Sequence, residues 1–157
     1  MGSTLERLFR HLAWADRECI TVLDPADPRC EPSITLFAHV VAAEHIWLCR
    51  IHSRDTGGIL PWSELTFPRC KELAAASAEG YLELVRSTDE EKLSNIVDYR
   101  MSNGEPNRSS IRDILLHVGL HGAYHRGQIA SGLQAQELPV PTTDFILYSR
   151  QLPHDEP

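Results

Sequence analysis

The sequence predicts an all-α fold: a four-helix bundle with a short hairpin or strand before the last long helix and a short C-terminal helix. Three observations carry this. Four segments place apolar residues at helical spacing, and prolines and glycines mark the joins between them. A single β-prone stretch, residues 95–101, is too little for a sheet domain. At 157 residues, with 42% apolar and 24% charged residues, the chain has the size and composition of one domain, 1–157, able to bury its own core.

The first helix is expected over residues 3–23. Ser3 and Glu6 make a capping box, and Leu5, Leu8, Phe9, Leu12, Ala15, Cys19, Ile20 and Leu23 form an inward stripe. Trp14 reads as a packing residue. Asp16 lies beside the stripe; it reads first as a solvated edge residue, and otherwise as a carboxylate reaching a polar pocket. Residues 24–32, with three prolines in the eight positions 25–32, stop the helix.

A second helix is expected over residues 33–54, with Leu36, His39, Val40, Ala43, Trp47 and Ile51 inward. His39 is the one polar member, either a satisfied core histidine or a ligand. His45 lies six residues on, about 600° of rotation, and so points to another face. His52 falls near the helix end, where a cation suits the dipole. Residues 56–62 read as a loop. The third helix, 68–87, opens on Pro68 in its first turn and turns Leu73, Ala74, Leu82 and Val85 inward. Its Ala-rich run at 74–78 permits close packing. Residues 95–101 alternate and 102–105 carry a turn signal, which predicts a small strand or hairpin.

The last long helix is expected over residues 110–136. Ser110 caps it, Asp113 sits near the positive end of its dipole, and Ile111, Ile114, Leu115, Val118, Ile129 and Leu133 make its apolar stripe. Gly119, Gly122, Gly127 and Gly132 each cost about 1 kcal/mol relative to alanine. A neighbouring helix in close approach, or room for a ligand, must offset that. His117, His121 and His125 follow one another by one turn, and His121 and His125, four apart, can aim two imidazoles at one ion. Among eight histidines such a pair arises readily by chance, so spacing alone leaves open a metal-free helix. The zincin motif is excluded, because Gly122 stands where that motif needs its glutamate. His39 from the second helix, together with His121 and His125, would complete a three-imidazole site of the kind bundle cores support. Residues 138–144 should run extended, 144–151 form a short closing helix, and 153–157 fray.

A net charge of −7 and a pI near 5.6 argue against nucleic acid and acidic membranes as partners. No run of eighteen apolar residues and no signal-peptide pattern occurs, so a cytoplasmic location is expected. Cys19, Cys30, Cys49 and Cys70 include no C-x-x-C pair; they read as reduced thiols, three in helices and Cys30 in a loop.

Several stretches together resemble the DinB family of bundle metalloproteins. L-F-A-H-V-V-A-A-E-H-I-W-L at 36–48 is similar to the family's second-helix pattern. L-L-H-V-G-L-H-G-A-Y-H-R-G-Q-I at 115–129 is similar to its last-helix signature, with H-x-x-x-H-R-G-Q the most specific piece. P-V-P-T-T-D-F at 139–145 resembles the exit segment, and L-A-W-A-D-R at 12–17 the first-helix pattern, with Asp16 where asparagine is common. The resemblance implies up-down-down-up connectivity and a divalent metal held by His39, His121 and His125. It leaves His45 and His117 outside the ligand set, and it implies a homodimer.

Three neutral imidazoles leave an ion with its full charge and open coordination positions. Zinc, nickel or iron would suit them. The function expected is a metal-dependent transferase, isomerase or hydrolase that activates water or a low-molecular-weight thiol for attack on a small electrophilic substrate. The alternative is a non-catalytic, metal-binding stress-response protein braced by a structural ion. Glu44, Tyr124, Gln128 and Arg126 are the candidates for orienting the ligands. Arg126, directly after a ligand and so turned about 100° away, reads first as a structural salt bridge.

Overall fold

The computed structural model describes residues 4–101 and 103–152. Within them the chain forms α1 (Thr4–Val22), α2 (Glu31–Ile51, entered through a 3-10 turn at Pro28–Cys30), α3 (Phe67–Ser87), α4 (Glu90–Leu93), β1 (Ile96–Arg100), β2 (Pro106–Ser110), α5 (Ile111–Ala135) and α6 (Phe145–Arg150). The architecture is mostly helical with one small antiparallel sheet.

Side-chain caps explain where several helices begin. Thr66, Asp89, Ser110 and Asp144 each accept hydrogen bonds from backbone N–H groups in the first turn that follows. Ser110 also donates to Asp113 Oδ2 at 2.7 Å, which ties the start of α5 down twice. The short α4 was not expected: four residues are too few to show a helical period. The expected hairpin is present, pairing Ile96 with Ser110 through to Arg100 with Pro106. Gly104, at φ +84°, supplies the left-handed turn residue. The expected Ser3 cap, Ser102 in the turn and the fraying of 153–157 lie outside the described residues.

The four long helices pack in a ring, α1 on α3, α3 on α2, α2 on α5 and α5 on α1. Because α3 and α5 cover α2 from two sides, α2 is buried almost all round, with Phe37, Val40, Val41 and Ala42 fully enclosed. The single inward stripe expected for it therefore undercounts its core. Residues 28–51 are long and apolar enough to cross a bilayer by length and composition alone; here that apolar surface packs against two helices. The alanine run on α3 packs inward through Ala74 and Ser77 while Ala75 and Ala76 are exposed, and past it a Cβ on Gly80 would lie 2.5 Å from Leu48 Cδ2.

Two large clusters make up most of the core. One cluster holds Cys19, Leu23, Phe37, Val41, Cys70, Leu73, Ile129 and Leu133. The other holds Phe9, Leu12, Tyr81, Leu84, Ile114, Leu115 and Val118. On α1, α2 and α5 a buried charged residue falls between the two sets: Asp16, Glu44 and Arg126. The reading of Asp16 as a solvated edge residue is thereby corrected. Cys30, expected in a loop, is in the 3-10 turn and buried in the first cluster, because the prolines around it fold the connection back onto the core. All four cysteines are free and buried.

The segment after α5 folds back over α1. His11 Nε2–H donates to the Thr143 carbonyl at 2.8 Å, and Trp14 packs against Tyr148 of α6. The packing role expected of Trp14 is the one it has.

Candidate metal centre

Helical spacing sets His117, His121 and His125 in a row on α5, and the α2–α5 contact brings His39 to that row. His39 Nε2 lies 3.2 Å from His121 Nε2. One ligand atom from each of His39, His121 and His125 falls within 4.8 Å of the others. Two imidazole nitrogens on one tetrahedral ion, each about 2.0–2.1 Å from it, stand roughly 3.3–3.4 Å apart. The His39–His121 pair is close to that spacing, and His125 needs only a small approach.

The rings are held so that the correct nitrogens converge. His39 Nδ1–H donates to the Pro61 carbonyl at 2.6 Å, which leaves the Nε2 lone pair facing His121. His125 Nδ1 lies 2.7 Å from Gln128 Oε1 and donates to it, leaving its own Nε2 free. Burial holds the His39 imidazole below its ordinary pKa. His121 is pushed down to about 4, first by burial and then by the neighbouring imidazoles. Both rings are therefore neutral near pH 7, the form that ligates. The donor set of three imidazoles fits a divalent transition ion.

The surroundings are aromatic. Trp62 lies flat on His39, with ring centroids 3.7 Å apart and planes 7° from parallel, while 63% of the tryptophan stays exposed. Tyr124 sets its ring edge-on to His125 at 5.1 Å and is also exposed. His117 touches the His121 ring and Trp47, but stands outside the three-donor group. His45 faces another way, as its rotation requires: its Nε2 reaches the Thr56 carbonyl at 3.1 Å and Cys49 Sγ at 3.5 Å.

Of the four residues considered for orienting ligands, Gln128 does so directly and Tyr124 only flanks. Glu44 does not: it is 1% exposed and sits within the polar layer, where Arg126 Nη1 lies 2.7 Å from Asp16 Oδ1 and 3.6 Å from Glu44 Oε1. The expectation of a salt bridge at Arg126 is correct, and its partner is Asp16. Burial raises both carboxyls, and Glu44 is lifted well above the usual range by burial and by the Asp16 charge beside it. One guanidinium thus faces two buried carboxyls, of which Glu44 holds its proton the more tightly. Gly122 makes room for the guanidinium: a Cβ there would lie 2.8 Å from Arg126 Nη2. Gly119 and Gly132 meet Leu8 and Ser33 in the same close manner, whereas Gly127 has open space beside it.

Sequence reasoning missed Pro61 and Trp62, which read only as parts of a loop. The available signal was an aromatic residue next to proline in a glycine-containing segment, placed to reach a helix that carries a histidine.

The model of the DinB family matches residues 33–155. That stretch contains all three donors and begins after α1, so the likeness at 12–17 lies outside it. No curated protein and no solved structure matches the chain.

Proposed function

The chain belongs to the DinB family, and from the convergence of His39, His121 and His125 we propose that it is a metal-dependent enzyme acting on a small electrophilic substrate. The ion is a divalent transition metal, zinc, nickel or iron, held by three Nε2 atoms. When bound it supplies an acidified water or thiol and polarises the electrophile. The chain's own part is to keep the His39 and His121 imidazoles neutral by burial, fix the tautomers of His39 and His125 through Pro61 and Gln128, and leave one side open. His117 and Tyr124 flank the cluster through ring contacts with His121 and His125. A low-molecular-weight thiol as co-substrate is part of this reading.

The observation that carries it is the three-donor cluster at a partly exposed surface. Closed structural zinc sites use four protein ligands; three favour the catalytic reading over an ion that merely braces the fold. Turnover panels with and without added thiols test it against a His121→Ala variant. Activity that depends on His121 supports the enzyme; equal activity in both proteins removes it.

The architecture behind the site is proposed to be a single-domain four-helix bundle of up-down-down-up connectivity, built from α1, α2, α3 and α5. We also propose a homodimer, supported by the exposed apolar row Leu116, Leu120 and Tyr124 along α5. A cytoplasmic location accords with four unpaired thiols.

A further inference from the structure

We propose that Trp62 is a positioning residue of the metal centre, clamping the face of His39 beside its backbone anchor and strengthening metal binding through its indole face. This rests on the three-histidine reading above.

Trp62 leaves 63% of its surface in solvent, yet its ring lies nearly parallel to the His39 imidazole at van der Waals separation. Its neighbour Pro61 accepts the hydrogen bond from His39 Nδ1 at 2.6 Å. Two consecutive residues of one loop therefore hold one imidazole, the first by its edge and the second by its face. The ring has lost both its rotation and its tautomeric freedom before any ion arrives, so less ordering cost falls on binding.

The stack also has a sign. An imidazole that donates its lone pair to a divalent cation becomes electron-poor, and the indole face is the most electron-rich surface that a side chain offers. Trp62 therefore favours the loaded form of His39 over the free form, and by linkage metal uptake draws the loop onto α2. No other exposed tryptophan occurs among the described residues: Trp14 is buried and Trp47 half-buried.

Zn²⁺ is a suitable probe, because it adds neither colour nor unpaired electrons and any change in emission reports the surroundings of the tryptophan. Affinity is read by competition with a chromophoric chelator for wild type, Trp62→Ala and Trp62→Phe, and tryptophan emission is followed in each titration. The expected result is about tenfold weaker binding for Trp62→Ala, and binding close to wild type for Trp62→Phe, which keeps a stacking face. The emission change on adding Zn²⁺ should be present in wild type and absent from Trp62→Phe. Equal affinity of Trp62→Ala and wild type, or an unchanged emission response in Trp62→Phe, overturns the clamp and leaves the metal site standing. Wild-type protein that takes up no Zn²⁺ overturns both.

Discussion

Arg126 Nη1 lies 2.7 Å from Asp16 Oδ1, joining residues 110 positions apart with both side chains 2% exposed. This pair, with Glu44 beside it, forms a polar layer between two apolar clusters and fixes the rotation of α5 relative to α1 and α2. The residue that anchors the helix directly follows His125. Rotating α5 to free the guanidinium would also carry the histidines away from His39.

Removing the guanidinium should therefore be severe. Arg126→Met leaves a buried carboxylate without its partner, a loss of about 3–5 kcal/mol. Chemical denaturation should show it as a lower midpoint at pH 7. A change below about 1 kcal/mol would mean that the layer is not a structural anchor.

Glu44 gives a pH signature. Its folded pKa is raised well above the ordinary 4.5, first by burial. The folded protein thus holds a proton that the unfolded chain releases, and stability falls as pH rises from about the ordinary carboxyl value up through the folded pKa. Glu44→Gln keeps the neutral shape and escapes this loss. Its melting temperature relative to wild type should therefore climb between pH 5 and pH 8; a flat difference would contradict a protonated Glu44.

His121 gives the opposite slope in metal-free protein. With its pKa depressed from 6.5 to about 4, the unfolded chain takes the proton first as pH falls. The stability it contributes is complete above about pH 6.5 and lost through that window toward pH 4. Since the ring is partly exposed, the effect is about 1 kcal/mol after screening. Melts of chelated wild type and His121→Gln at pH 7 and pH 5 should show the larger acid loss in wild type. Equal losses would place His121 in a more open setting than its contacts indicate.

Much of this was legible from residue order. The long helices, the hairpin and the closing helix announced themselves through period, caps and turn residues, and His121–His125 through spacing. His39 was legible as the one polar member of an apolar stripe, but its convergence with α5 followed from the bundle reading and then the family likeness rather than from periodicity. Asp16 and Glu44 misled because a charged residue has no local mark that separates a solvated edge from a buried layer. Only the third dimension brings Arg126 to them. Trp62 failed for a related reason, since a loop has no period from which a direction can be read.

Two glycines on one helix should respond in opposite ways. Gly122→Ala forces a Cβ against a guanidinium that Asp16 holds in place and should destabilise by about 1–3 kcal/mol. Gly127→Ala meets nothing within 4 Å and should gain up to about 1 kcal/mol from helix propensity. Paired melting curves, read against protein concentration to expose any effect on a dimer, check both signs; like signs would refute the assignment of Gly122 to the guanidinium's space.

The convergence of His39, His121 and His125 on one cation is the claim on which the functional reading stands. Elemental analysis of untagged protein, dialysed after exposure to zinc, nickel and iron in turn, tests it most directly. The expected result is about one ion per chain in wild type and almost none in His39→Ala, His121→Ala or His125→Ala. Wild type that retains none of the three metals, or a set of folded variants that retain them as well as wild type does, would contradict it.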